Sequence, residues 1–244
     1  MERIVIFGAT SGIARAVAEE FLAQGDELLL VGRSADALKI LARDLEVLGG
    51  GKPVPWFIWD VLDFEGHAFR FRELISTHDV KGLFMAAGVL IPQKDCDADP
   101  AKTTLTFNSN LTGPAAVMGL FAEYFKEKRS GFISCLSSVA GDRGRGSITA
   151  YAASKAGLSA YLEGLANRIQ HDGVLIQTVK PGYVRTAMTE GLQSMLIASP
   201  AKVARDIVKA IRCRREMIYT PFYWRYIMGV IRLIPESIFR KLGL

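Results

Sequence analysis

Tyr151 and Lys155 stand four residues apart in Tyr151-Ala152-Ala153-Ser154-Lys155, and Ser138 lies thirteen residues before the tyrosine. Residues four apart share one face of a helix, so the Lys155 ammonium can lie near the Tyr151 phenol. A nearby positive charge favours phenolate, and the expectation is a tyrosine pKa drawn down from its usual value of about 10. Such a phenol can exchange a proton with a carbonyl or alcohol oxygen while hydride moves to or from a nicotinamide. Ser138 would hydrogen-bond the same oxygen as charge builds on it. The rival reading is an amphipathic helix carrying an exposed lysine.

A second group of residues suits a dinucleotide. Gly8-Ala9-Thr10-Ser11-Gly12-Ile13-Ala14 falls between an opening apolar run and the helix it feeds. Glycine lets the chain turn sharply there, and the backbone amides at the helix start can meet a pyrophosphate. Packing alone is the alternative use of such a turn. Gly32-Arg33-Ser34 ends the second strand, where a carboxylate would ordinarily take the ribose hydroxyls of NAD, and no acid stands there. A guanidinium can pair with a 2′-phosphate, so Arg33 reads as a selector for NADP, against the alternative of a solvated loop arginine. Asp60 and Val61, after the third strand, are placed to touch adenine, although an aspartate ending a strand is equally a turn former.

The elements that must position these groups follow from the pattern of apolar residues. Short Val/Ile/Leu-rich runs at 3–7, 28–32, 54–58, 82–86, 131–136, 174–180 and 216–219 read as strands. Segments of helical period separate them at 12–24, 35–48, 65–77, 101–128, 151–171 and 200–213. That alternation predicts a parallel sheet covered by helices on both faces. Ser199-Pro200 supplies an N-cap and a first helical residue for the last helix.

Composition sets the remaining bounds. Of 244 residues, 50% are hydrophobic, enough for one large core, and no repeat or linker divides the chain. Residues 1–220 are expected to form one domain, with 221–244 as a C-terminal tail of that same domain. Arg3 leads directly through Ile4-Val5-Ile6-Phe7 into the Gly-rich turn, without a basic stretch, apolar run and cleavage site, so a cytoplasmic protein is expected. Cys96, Cys135 and Cys213 have neither CxxC nor His/Cys spacing, and are read as buried or half-buried thiols, with no metal site expected. The net charge of +5 is concentrated late, because residues 201–244 hold ten Lys/Arg against three Asp/Glu. No zinc-finger or RNP-type motif accompanies that excess, and nucleic acid is not the expected partner.

Taken in order, these motifs resemble those of the short-chain dehydrogenase/reductase family over about residues 3–213. The family's TGxxxGxG is met by Phe7-Gly8…Gly12-Ile13-Ala14, its NNAG by Met85-Ala86-Ala87-Gly88, and its helix-borne asparagine by Asn110. Its catalytic serine falls on Ser138, its YxxxK on Tyr151 and Lys155, and its PGxVxT on Pro181-Gly182-Tyr183-Val184-Arg185-Thr186. The resemblance implies a Rossmann-type, doubly wound sheet of seven parallel strands in the order 3-2-1-4-5-6-7. It further implies that Asn110 holds a water in a proton relay and that Lys155 binds the nicotinamide ribose. Val184 and Thr186 would meet the carboxamide, and Ala87 and Gly88 would border the cofactor. Two positions depart from the pattern: Ala14 replaces a third glycine, and Ala86 replaces an asparagine that braces the sheet. Neither removes a reacting group.

Residues 187–199 follow Thr186 at the sheet's carboxyl edge, where α/β folds bind ligands. Met188, Leu192, Met195, Leu196 and Ile197 make this segment apolar, as a lid over a hydrophobic substrate or as a short core-packing helix. No anion clamp stands out there, which speaks against a small charged acid as substrate. In the tail, Arg225, Arg232, Glu236 and Arg240 recur at steps of seven, four and four on an otherwise aromatic and aliphatic helix that Pro235 would divide. That layout suits a peripheral membrane helix, or a segment packed on its own domain or on another subunit. The tail is also loosely similar to that of bacterial reductases acting on polyprenyl-phosphate-linked keto sugars.

The expectation is thus NADPH-dependent reduction of a carbonyl on a hydrophobic or lipid-linked substrate, with Tyr151 as general acid/base, in a homo-oligomer. A soluble 3-oxoacyl or general carbonyl reductase is the first alternative. A non-catalytic NADP-binding regulator is the second.

Overall fold

A computed structural model describes residues 2–189, 191 and 195–242. The chain starts with β1 (Arg3–Phe7), α1 (Gly12–Ala23), β2 (Glu27–Gly32), α2 (Ala35–Leu48), β3 (Trp56–Ile58), α3 (His67–Thr77) and β4 (Val80–Met85). Two short helices follow, α4 (Gln93–Ala98) and α5 (Pro100–Phe107), then a π-helical turn at Asn108–Thr112, α6 (Gly113–Lys128) and β5 (Phe132–Leu136). After α7 (Thr149–Ile169) come β6 (Leu175–Pro181), α8 (Pro200–Arg212), β7 (Met217–Thr220), α9 (Trp224–Leu233) and α10 (Glu236–Phe239).

All neighbouring strands pair in parallel, in the order 3-2-1-4-5-6-7. Strand alternation sorts the core. Ile4, Ile6, Leu28 and Leu30 point to one face and pack with Val17 and Phe21 of α1, Leu38 of α2 and Ile207 of α8. Val5, Phe7, Leu29 and Val31 point to the other, against Leu74 of α3, Phe121 of α6 and Leu158 of α7. Period two along each strand thus requires a helical layer on both sides.

Strand order reverses where β1 lies between β2 and β4, so the crevice above their carboxyl ends is the natural ligand site. Gly8 follows β1 with φ +74°, and a β-carbon on it would stand 2.8 Å from the backbone nitrogen of Ala87. Glycine is therefore required both by the left-handed turn and by the close approach of the loop after β4. Ala14, in place of the third glycine, is fully buried in the α1 packing. Ser11 caps α1, its hydroxyl accepting from the Ala14 amide at 3.3 Å, and Ser199 caps α8 as its sequence suggested.

The helix expected over 101–128 is interrupted by the π-helical turn. The extra residue per turn there rotates Asn110 into the interior, where it is fully buried. Of the cysteines, Cys96 and Cys135 are buried as expected, and Cys213 is exposed because it caps α8 at the surface.

Candidate active site

Above the carboxyl ends of β1, β4, β5 and β6 lies a cavity of about 760 Å³. It brings together Thr10, Ser11, Gly12 and Ile13 with Ala87 and Gly88, with Ser138, Tyr151 and Lys155, and with Val184 and Thr186. Gly8, Arg33, Asp60, Val61 and Asn110 do not line it.

Contacts between α7 and the segments packed on it position the reacting groups. Ser138 leaves β5 in extended conformation and opens a 3₁₀ turn, its hydroxyl accepting from the Ala140 amide at 3.0 Å. That turn lies on α7 at Gly141, where a β-carbon would be 2.7 Å from the carbonyl carbon of Lys155. Ser137, one residue before, donates to the Lys155 carbonyl at 3.1 Å and shares a 2.7 Å hydrogen bond with Ser159. The start of α7 has no side-chain cap of its own; Gln93 of α4 supplies one, its carbonyl accepting from the Ala150 amide at 3.0 Å.

Lys155 is buried and donates to the Leu136 carbonyl at 2.8 Å, with its ammonium 5.9 Å from the centre of the Tyr151 ring. Burial lowers its pKa. Burial also raises the pKa of Tyr151 above its ordinary value, against an opposing interaction with the Ser138 hydroxyl. The expectation that Lys155 draws the phenol down is thus not met. Desolvation dominates, and the ammonium is engaged by Leu136 rather than by the phenol oxygen.

Asn110 accepts from the Val89 amide at 2.7 Å and donates to the Val89 carbonyl at 2.9 Å and to the Ser154 hydroxyl at 3.1 Å. Ser154 in turn donates to the Tyr151 carbonyl at 2.7 Å. Both amide hydrogens of Asn110 are therefore spent on protein groups. This side chain ties the loop after β4 to the helix that carries the tyrosine.

The residues present fit a dinucleotide. The start of α1 at Gly12 and Ile13 lines the cavity, and Gly12 stands opposite Thr186, where a β-carbon would come within 3.2 Å of its methyl. Arg33 is exposed beyond β2 and makes no hydrogen bond or ion pair with the described residues. Asp60 accepts from the Leu62 amide at 3.0 Å, so one of its oxygens shapes the turn. Val61 is buried against Gly113.

Sequence reasoning missed two groups. Gln93 sits in a polar helix too short to show a period. Arg145, in Gly144-Arg145-Gly146, looks like any loop arginine, yet it lines the cavity beside Ser138 and Tyr151. Of the apolar segment at 187–199, Met188 lines the cavity, and Met188, Met195 and Leu196 are exposed rather than packed in the core. Leu192 lies outside the described residues.

The tail packs inward on one face. Trp224 and Met228 are buried against Val139, and Phe239 lies under the Arg143 guanidinium at 4.3 Å. Pro235 divides α9 from α10, as its position suggested. Among the described residues no helix is long and apolar enough to cross a membrane.

Comparison with known proteins identifies the framework. A family model described as short chain dehydrogenase matches residues 2–196. The chain belongs to that family. An uncharacterized oxidoreductase of Streptomyces coelicolor is 30% identical over 98% of this chain and 95% of the relative. Among solved structures, a short-chain dehydrogenase from Sphingobium yanoikuyae in complex with NADPH superposes with a TM-score of 0.78 at 21% identity, covering 97% of this chain and 98% of that one. An actinorhodin polyketide ketoreductase with NADPH gives a TM-score of 0.77 at 20% identity over 86% and 90% of the two chains. This short-chain dehydrogenase is an oxidoreductase with the seven-stranded Rossmann-type sheet of its family.

Proposed function

We propose that the protein is a cytoplasmic, NADPH-dependent reductase that converts a carbonyl on a hydrophobic, lipid-borne substrate to an alcohol. The observation that carries this reading is the convergence of Ser138, Tyr151 and Lys155 on one cavity that Gly12 and Thr186 also line.

When bound, NADPH supplies the hydride. The turn at Gly8, Thr10, Ser11, Gly12 and Ile13 would hold its pyrophosphate, Arg33 its 2′-phosphate, and Asp60 and Val61 would border the adenine. Ala87 and Gly88 would flank the ribose and nicotinamide, and Val184 and Thr186 would meet the carboxamide. Lys155 has donors beyond the one given to Leu136, and these would hold the nicotinamide ribose. Ser138 orients the substrate oxygen with its hydroxyl. Tyr151 gives its proton to that oxygen as it becomes an alkoxide. A phenol whose pKa is raised is protonated at neutral pH, the state a proton donor needs. Asn110 positions Tyr151 through Ser154.

Two features favour a lipid-borne carbonyl. The cavity is walled by Val89, Leu90, Val139, Ile148 and Met188. The outer face of α9 then exposes Tyr226, Val230 and Leu233 in line with Phe222, at steps of four, four and three, beside Arg225 and Arg232. Such a face suits peripheral contact with an anionic bilayer. The test is NADPH oxidation across keto lipids, acyl thioesters and keto sugars. Turnover is expected for the keto lipids, and no turnover above background with any class would contradict the reading.

A further inference from the structure

Arg145 sits seven residues after Ser138 and six before Tyr151, and it lines the same cavity. Its backbone is fixed, because its carbonyl accepts from the Thr149 hydroxyl at 3.1 Å. Among the described residues its guanidinium makes one side-chain hydrogen bond, to the sulfur of Met228 at 3.9 Å, and a thioether is a weak acceptor.

Two acids that pair with this loop or stand in it, Asp142 and Glu236, are already engaged. Asp142 is paired with Lys180 at 2.5 Å and accepts from Tyr219 at 2.9 Å. Glu236 is shared between Arg143 at 3.5 Å and Arg240 at 3.2 Å. Arg143, two residues away, is spent on the tail: it donates to the Arg232 carbonyl at 3.2 Å and lies over Phe239. Of the two arginines in this loop, only Arg145 lines the cavity, and it has given no donor to a carboxylate among the described residues. A half-buried guanidinium without a carboxylate is costly among apolar walls, and an arriving anion recovers that cost in a medium that strengthens the pairing.

We propose that Arg145 recognises an anionic group, phosphate or carboxylate, carried by the substrate near its carbonyl. This inference rests on the reductase reading of the cavity and narrows it: the substrate is an amphiphile with a ketone, a negative charge and an apolar body. The sequence pointed away from a small charged acid because the segment at 187–199 has no clamp. The cation comes instead from the loop between Ser138 and Tyr151.

The experiment is calorimetric binding to the full chain in the presence of NADP, with three probes of one chain length: a keto alkyl phosphate, a keto carboxylate and the methyl ester of that carboxylate. Charge-assisted hydrogen bonds predict that one anionic probe binds at least about tenfold more tightly than the ester. Whether phosphate or carboxylate leads identifies the group. Arg145→Met should abolish the preference while leaving ester and NADPH affinities within about twofold, and Arg145→Lys should restore part of it. Equal binding of all three probes to the unaltered protein would overturn the proposal. So would a preference that survives Arg145→Met, or a loss of NADPH affinity in that variant, which would assign the arginine to the cofactor. Turnover of the same probes is read separately: an anion preference without turnover would sink the reductase reading and leave the Arg145 site standing.

Discussion

The Cα of Gly141 rests on the backbone of Lys155 so closely that a β-carbon would fall 2.7 Å from the lysine carbonyl carbon. The turn that carries Ser138 and the helix that carries Tyr151 are therefore seated on each other through backbone. A hydroxyl and a phenol that must share one oxygen are held in place by the absence of a methyl group.

Gly141→Ala should push that turn away from α7. Overpacking of this kind costs about 1–3 kcal/mol, and a displacement of Ser138 by even a fraction of an ångström is felt in the chemistry. Urea unfolding should show the loss of stability, and kcat should fall at least about tenfold with NADPH affinity retained.

Gln93 makes a comparable prediction from the other end of the site. Removing its carbonyl in Gln93→Ala leaves the Ala150 amide, one residue before Tyr151, without its acceptor. The stability cost is about 1 kcal/mol. Reduced kcat at unchanged NADPH affinity is expected, and Gln93→Glu, which keeps an acceptor oxygen, should recover part of it. A Gln93→Ala variant with unaltered kcat would show that α7 needs no such cap.

Little of this cross-chain bracing could be read from sequence. The strands were legible because Ile4-Val5-Ile6-Phe7 and Leu28-Leu29-Leu30-Val31 are apolar on both faces, which a sheet covered on two sides demands. The Tyr151–Lys155 spacing fixed their shared face. What could not be read was long-range. The break at Asn108–Thr112 inserts one residue into a turn without disturbing the apolar pattern around it. Burial, not the neighbouring ammonium, governs Tyr151, and burial depends on what loops from four strands build around it. The tail's aromatic residues were visible, but their division between an inner face on Val139 and an outer exposed stripe follows from where β7 ends.

Below neutral pH, His67 should set an acid limit on stability. Its Nδ1 accepts from the Trp59 indole at 3.0 Å, and burial lowers its pKa below the ordinary 6.5. The unfolded chain therefore takes up this proton before the folded one does. Stability is unaffected above about pH 6.5 and falls as pH drops through that value toward the lower folded pKa. His67→Gln can keep an acceptor for the indole without titrating, and its unfolding free energy should lose this part of the slope. An unchanged slope in that variant would remove His67 from the account.

Cofactor choice tests Arg33. Arg33→Asp places a carboxylate where the 2′-phosphate would lie, and should raise the KM for NADPH at least about tenfold while improving use of NADH. An unaltered ratio of kcat/KM for the two cofactors would separate Arg33 from the phosphate.

The raised pKa of Tyr151 predicts a reduction rate that holds through neutral pH and declines only in the alkaline range, as the phenol loses its proton. The central measurement is turnover by Tyr151→Phe beside its NADPH affinity. A loss of about 10²–10⁴-fold in kcat is expected, with affinity for NADPH retained. Turnover within a few-fold of the unaltered enzyme would contradict the role of Tyr151 as proton donor.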